Sequence, residues 1–336
     1  MADSEVLETT NGSGALSGLD PVFGNFNLPL GAIYYPLGFP VEIATNSAAV
    51  LRAAEESWSR SRQAFSEPPV RLEIGVTEDG SQTCPPAPDY RGRGNLLITV
   101  ADAKNYIVSD LRTGFSFAWL TQAAVEHRAY LRYYFLEATA LTLLNCRYVT
   151  AVHAACVEIG GQGILLCGES GAGKSSLAFA CARRGWKFLS DDSSAIVRSR
   201  RGRVVVGNPH QMRFRESATE LFPQLKDQRV TPRFTGRLAI EVATSTLADI
   251  ATVSECQVDY IVFLNRRDPD PPSLRPLAKE IARQYFEQGT FLGDPAARQA
   301  QQTSLENLLT AKRFEMRYQD LDWAVERLET LVQEGI

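Results

Sequence analysis

Apolar and polar positions alternate with two different periods along this chain, and the changes of period mark its elements. Ala48 to Phe65 carries apolar residues at helical spacing and predicts an amphipathic helix. Val70 to Val76, Leu96 to Val100 and Tyr106 to Ser109 predict strands, while Tyr34 to Ile43 reads as an edge strand broken by prolines. Pro85-Pro86-Ala87-Pro88 marks a loop, and Val125 to Asn145 predicts a long helix whose Tyr/Phe/Leu stripe has the spacing of core packing. Tyr148 to Ile159 and Gly163 to Cys167 then read as two strands joined by Gly160-Gly161, a two-residue hairpin turn. Ser176 to Ala182 is helical and ends on Arg183, Arg184 and a capping Gly185, and Trp186 to Ser190 is a short strand.

Further on, Gly236 to Val242 and the continuous apolar run Val258 to Leu264 predict strands, the latter buried on both faces. A proline-rich loop at 268–272 precedes helices at about 278–288 and 296–309, a strand at 314–318 and a final helix at 321–333. Leu321, Ala324, Val325, Leu328, Leu331 and Val332 share one face of that helix, which predicts docking on the sheet. The fold class is therefore α/β, divided into an N-terminal α+β domain at 25–146 of unreadable role and a core at 147–336. Residues 1–24 are rich in Gly, Ser, Thr and Asp and predict disorder; they lack the charged and apolar regions of a signal peptide.

The candidate chemistry lies between the hairpin and the helix. Gly168-Glu169-Ser170-Gly171-Ala172-Gly173-Lys174-Ser175 fits G-x-x-x-x-G-K-[ST], the phosphate-binding P-loop, with Ser176 following in the helix. Glycines reach backbone angles that let successive N–H groups turn inward around a polyphosphate. Lys174 supplies a charge to the β/γ-phosphates, Ser175 a hydroxyl for Mg²⁺, and the helix its positive N-terminal end. Strand, glycine loop and capped helix occur in the order such a site requires.

Trp186 to Ser190 ends on Asp191-Asp192, where a P-loop protein keeps the acid that holds Mg²⁺ or its water. Adjacent residues of an extended chain point to opposite sides, so one carboxylate can face the metal and the other an incoming hydroxyl. Asp191 is assigned to the metal side and Asp192 to the base that orients the acceptor; the reverse assignment, or a solvated acidic turn, stays open. A hairpin feeding the P-loop also forces an antiparallel neighbour on the loop's strand, since a parallel neighbour needs a long crossover. That differs from the usual P-loop sheet.

His153, the hairpin, GESGAGKSS, the helix ending Arg183-Arg184-Gly185 and the strand closing on Asp191-Asp192 resemble the catalytic core of HPr kinase/phosphorylase over residues 148 to 197. The resemblance implies a mixed-sheet P-loop kinase core akin to phosphoenolpyruvate carboxykinase. It implies ATP and Mg²⁺ as cofactors, Lys174, Asp191, Asp192 and His153 as catalytic residues, and a Ser hydroxyl as acceptor. His153 matches the family motif, although a strand histidine satisfied by a backbone carbonyl is an equal reading of the residue itself. Two departures matter: Ser176 stands where the bifunctional enzymes carry Glu, and Asn208 to Glu216 (NPHQMRFRE) replaces their signature segment. That segment is more similar to HPr-kinase-related serine kinases, including those of peptide tailoring clusters, so kinase activity without phosphorylase activity is expected. Arg213, Arg215, Arg233 and Arg237 are candidate phosphate clamps, with solvated surface as the plainer reading.

Composition narrows the function classes. The 336-residue chain is 44% hydrophobic and 22% charged, with a net charge of −4 that speaks against a nucleic-acid surface. Its six cysteines show no metal spacing, as in reduced cytoplasmic proteins. No run reaches the about 18 apolar residues of a membrane helix. The expectation is a cytoplasmic kinase for a protein or peptide Ser, with a homo-oligomer left open. A small-molecule kinase and a non-catalytic ATP-binding switch are the alternatives; carboxykinase chemistry lacks a visible ligand set for a second metal.

Overall fold

The computed structural model describes residues 27–78, 80–228, 230–232, 238–247, 249–266, 271–289 and 291–335. The stretch read as disordered and the candidate clamps Arg233 and Arg237 lie outside the described residues.

Alternation builds the N-terminal sheet: in β3 (Val70–Thr77), Val70, Leu72 and Ile74 are buried, and Arg71 points outward. This sheet has seven strands, starting with β1 (Leu30–Tyr34) and β2 (Val41–Thr45), continuing after β3 with β4 (Asp89–Arg93), β5 (Leu96–Asp102) and β6 (Asn105–Asp110), and closing with β7 (Phe115–Thr121). Their order is β1-β2-β3-β7-β6-β5-β4, with β2, β3 and β7 mutually parallel and the remaining pairs antiparallel. The stretch 34–43, read as one broken strand, is a fold-back between two strands. Leu37 (φ 55°) and Gly38 (φ 83°) make the turn, and a Cβ on Gly38 would lie 2.7 Å from Cβ of Ala64.

The helix Ala48–Trp58 covers this sheet, together with a helical stretch that runs from Gln122 to Arg147. That stretch, predicted as one regular helix, turns at His127 (φ −77°, ψ 71°) and is π-helical over Leu131–Glu137. Leu131, Arg132 and Tyr133 are all buried in succession, so this segment is enclosed on every side. The apolar core of the N-terminal unit extends without a gap into Val149, Ala195, Val197 and Val206, beyond residue 146.

In the remainder, β8 (Val149–Val152) and β9 (Ala154–Ile159) replace the single strand expected over 148–159: the chain changes sheet partners at His153, and β8 pairs with β12 (Ser194–Val197). A mostly apolar stretch hides such a crossing, because both strands are largely buried. The predicted hairpin is present, with Gly160 and Gly161 at φ 59° and 82° joining β9 antiparallel to β10 (Gln162–Cys167). β11 (Lys187–Ser190) extends the sheet beyond β9, and β13 (Val204–Gly207) pairs β12. A small separate sheet holds β14 (Gln211–Phe214), β15 (Val230–Pro232) and β16 (Leu238–Ala243).

The long strand β17 (Glu255–Asn265) joins the halves: its start pairs β13 antiparallel, and its later part runs parallel to both β10 and β19 (Lys312–Arg317), with β18 (Ser273–Pro276) outside β19. Helices Lys174–Arg183 and Leu321–Glu334 share one apolar cluster with Ile164 and Leu166, whereas Leu165 and Cys167 pack with Phe286, Leu305 and Leu308 of helices Lys279–Glu287 and Pro295–Leu308. The strand that feeds the glycine loop is thus apolar on both faces. Each fully buried Ile or Leu there contributes about 1.5–3 kcal/mol by transfer from water. Among the described residues no helix is long and apolar enough to cross a membrane.

Candidate functional site

The loop between β10 and the helix Lys174–Arg183 bends because Gly168, Gly171 and Gly173 all have positive φ (143°, 93° and 98°). At Gly173 the need is also steric, since a Cβ would collide with the Tyr318 hydroxyl. That hydroxyl donates to the Ala172 carbonyl at 3.1 Å, so β19's end props the loop from behind. Tyr285 fixes the other end: its hydroxyl accepts from Gly168 N–H at 3.0 Å and donates to Gly168 O at 2.9 Å. Burial pushes both phenols up in pKa, keeping them protonated donors.

Lys174 is 6% exposed and curls back to donate to the carbonyls of Gly168 (2.7 Å) and Glu169 (3.5 Å), with His153 Nε2 at 2.9 Å. Burial lowers its pKa, against the opposing pull of Asp192. A lysine ammonium only donates, so Nε2 of His153 accepts and the imidazole proton sits on Nδ1, which lies 3.6 Å from Asp192 Oδ1. The change of sheet at His153 therefore brings Lys174, His153 and Asp192 into one chain of contacts. Burial first, and Lys174 as well, lower the His153 pKa below its ordinary 6.5, while Asp192 opposes them.

Protonating His153 would remove the acceptor for Lys174 and set a second cation beside it. A lowered pKa confines that event to pH below 6.5. Under a nucleotide-handling reading of this site, turnover is accordingly expected to hold through neutral pH and fall on the acid side of 6.5, and His153→Gln to flatten that acid limb. Initial rates across pH for both proteins check this, and an identical acid limb in the variant would refute it.

Two cavities meet at this point. A small one of about 240 Å³ lies against the loop and helix start, lined by Gly171, Gly173, Lys174, Ser175, Ser176 and Arg266 among others. A larger one of about 700 Å³ opens between the N-terminal unit and the core, with His153, Asp191 and Asp192 on its floor. Ser170, Asp192 and Arg215 line both. Arg215 donates from Nη2 to Ser170 Oγ and so reaches the glycine loop. Asp191 lines only the larger cavity, and its Oδ2 accepts the Arg213 backbone N–H at 2.5 Å.

Arg213, by contrast, directs its guanidinium at carboxylates. Nη2 lies 3.2 Å from Glu137 and Nε 3.4 Å from Glu241, and Tyr133 stacks at 4.8 Å from the guanidinium carbon. Burial alone would lower the Arg213 pKa, but Glu137 and Glu241 raise it overall. Arg132 completes the set, 3.3 Å from Glu137, 3.6 Å from Glu241 and 2.9 Å from Ser57 Oγ. Arg132 and Arg213 thereby share Glu137 and Glu241 across the seam between the units, with Glu56 3.7 Å from Arg132 and Tyr133 donating to Glu241. This network was not legible in the sequence, because Arg132, Tyr133 and Glu137 meet Arg213 and Glu241 only across long sequence separations. Tyr285 was missed likewise, reading only as one residue of the helix expected at about 278–288.

Ser175 Oγ donates to the Asp191 carbonyl at 3.3 Å, which sets the hydroxyl beside the end of β11 and its two carboxylates. Hydroxyl and carboxylate oxygens are hard donors of the kind Mg²⁺ takes, so the residues fit that ion, the remaining ligands coming from phosphate and water. Among the described residues no cluster of three or more His, Cys, Asp or Glu forms a metal cage. The cysteines described are free thiols, Cys84 exposed and Cys146, Cys156, Cys167, Cys181 and Cys256 buried.

Fold and site together define a mixed-sheet α/β protein with a glycine loop facing an acid-floored cavity. Residues 146–215 match the family described as HPr Serine kinase C-terminal domain, so this segment of the chain is similar to HPr kinases. It is 43% identical over 60 residues to the HPr kinase/phosphorylase of Halalkalibacterium halodurans and 46% identical over 61 residues to that of Shouchella clausii; each match covers 18% of this chain and 19% of the relative. The chain thus spans about a fifth of the length of the curated relatives it matches. A solved Hpr(Ser) kinase/phosphatase from Coxiella burnetii aligns with 55% of this chain and 95% of its own at a TM-score of 0.31 and 16% identity.

Proposed function

We propose that this protein is a cytoplasmic kinase that uses ATP and Mg²⁺ to transfer a γ-phosphoryl group to a Ser hydroxyl of a protein or peptide. The observation that carries the reading is the junction of the two cavities at Ser170, Asp192 and Arg215. A triphosphate whose chain lies in the small cavity, its γ-phosphoryl at that junction, faces an acceptor in the large one.

Phosphoryl transfer needs alignment and charge neutralisation more than covalent participation by the protein. The glycine loop and the helix start supply N–H groups to the phosphates, and Lys174 shifts its donation from the loop carbonyls to phosphate oxygens. Bound Mg²⁺ supplies further neutralisation. Arg215 adds a planar cation where charge develops at the junction. Asp192 accepts the proton of the acceptor hydroxyl as its oxygen bonds to phosphorus and the bond to the β-phosphate oxygen breaks, releasing ADP. His153, with Nδ1–H toward Asp192, orients that carboxylate. Asp191, beside Ser175 and tied to the Arg213 backbone, takes the metal side.

Of this chain's two departures from the HPr enzymes, Ser176 lines the small cavity, whereas the replaced segment lies at the acceptor side: Asn208, Gln211, Arg213, Arg215 and Glu216 all line the large cavity. Forward transfer without efficient phosphorolysis is therefore expected. With seryl-phosphorylated HPr, phosphate and Mg²⁺, pyrophosphate release should stay near background, and rapid dephosphorylation would assign phosphorylase activity instead. The proposal itself is tested by incubating the protein with γ-labelled ATP, Mg²⁺ and a degenerate seryl-peptide library. Label on the peptides supports it; tight ATP binding with neither peptide labelling nor slow hydrolysis favours a non-catalytic switch.

A further inference from the structure

The large cavity belongs to two units, and the outer wall is the N-terminal one. Ser57, Trp58 and Ser61 reach it from the end of the helix Ala48–Trp58 and the turn after it, Glu137 and Leu141 from the long helical stretch. Leu238, at the start of β16, faces it from the core. Leu141 and Leu238 are 39% and 57% exposed, so each leaves apolar surface open within a cavity whose floor is acidic. The charged members of the wall are already matched. Glu137 is held by Arg132 and Arg213 and accepts from Ser57 Oγ at 2.8 Å, so this outer wall offers no uncompensated charge to an acceptor arm, and the other charged groups of the cavity, Asp191, Asp192, Arg215 and Glu216, lie on the core side. A cavity of about 700 Å³ has the size of a small-ligand site. The flat face of a folded carrier, which needs about 800 Å² per partner, has no counterpart in such a concavity.

Resting on the kinase reading, we infer that the N-terminal unit selects the acceptor. The cavity takes a hydroxyl on a slender arm with an apolar group beside it, the apolar group lying against Leu141 and Leu238 while the hydroxyl reaches Asp192. That chemistry is shared by a flexible peptide segment in which Ser neighbours Leu or Phe and by a small apolar alcohol. Leu141 and Leu238 are the specificity-determining residues, and neither touches the glycine loop cavity.

The test measures binding as well as transfer, so that the two readings fail separately. Binding is followed by calorimetry, with Mg²⁺ and a non-hydrolysable ATP analogue, for heptapeptides with Ala in place of Ser flanked by Leu or by Asp, and for N-hexanoyl and N-acetyl serine amide. Leu-flanked or hexanoyl ligands are expected to bind at least tenfold more tightly than their polar counterparts. Leu141→Asp and Leu238→Asp should each reduce that preference at least fivefold while leaving ATP affinity unchanged. Both residues are exposed, and Leu141→Ser with a thermal melt replaces Leu141→Asp if that variant unfolds. Preference for the peptide or for the amide assigns the source of the arm. Equal binding of apolar and acidic ligands, a preference that survives both substitutions, or no binding by any of them overturns the inference. Apolar preference without phosphoryl transfer to the corresponding Ser ligands keeps the inference about the cavity and sinks the kinase reading.

Discussion

Alanine in place of Lys174 should weaken Mg·ATP binding at least about tenfold, the loss expected when charge-assisted hydrogen bonds of about 1.5–3 kcal/mol each disappear. The structure adds a second reason for a large effect. Lys174 ties together the start of its own loop through the Gly168 and Glu169 carbonyls and borders His153, so its removal also loosens the cradle that the nucleotide must find preformed. The fold should survive, because the helix that begins at Lys174 is anchored by buried Leu177, Ala178, Phe179, Cys181 and Ala182. Calorimetric titration of wild type and variant, with thermal melts alongside, decides the matter. Equal affinities would remove the phosphate-binding role of the loop.

Asp192→Asn should cost about 10²–10⁴-fold in phosphoryl transfer, the usual contribution of a general base, with ATP affinity intact or slightly improved. The asymmetry follows from position. Asp192 stands at the junction of the cavities and its charge sits near Lys174 and His153, whereas Asp191 is engaged by the Arg213 backbone. Replacing the carboxylate by an amide preserves shape and removes the proton acceptor. If single-turnover rates fall less than about fivefold, Asp192 is not the base, and the same measurement on Asp191→Asn shows whether the two roles are exchanged.

Local chemistry made the hairpin, the glycine loop and the helix cap legible in the sequence, because two-residue turns and positive-φ positions demand particular residues. Long helices and strands near the C-terminus were legible through period alone, as in the buried face of Leu321–Glu334. His153 marks where legibility ends. Tyr148 to Ile159 reads as one mostly apolar strand, and nothing in it says that the chain leaves one partner strand for another at its only histidine. Strands β7 and β13 were passed over, the second because four residues between turns carry little pattern, the first because its aromatic residues Phe115, Phe117 and Trp119 are only half-buried while the small Ser116 and Ala118 face the interior. Arg213 reads as a phosphate clamp in a basic stretch, yet its guanidinium faces Glu137, 76 residues away in sequence. Pairing over such distances is set by the packing of units and has no local signature.

The seam between the units gives the molecule two independent addresses. The glycine loop that would grip a nucleotide is encoded in one short block, 168–176, while much of the outer wall of the adjoining cavity is written in separate blocks before it, at 57–61 and 137–141. Under the kinase reading, what is modified can drift by substitutions in the earlier blocks without disturbing the block that handles the donor. One donor-handling loop can in this way be combined with different acceptor walls.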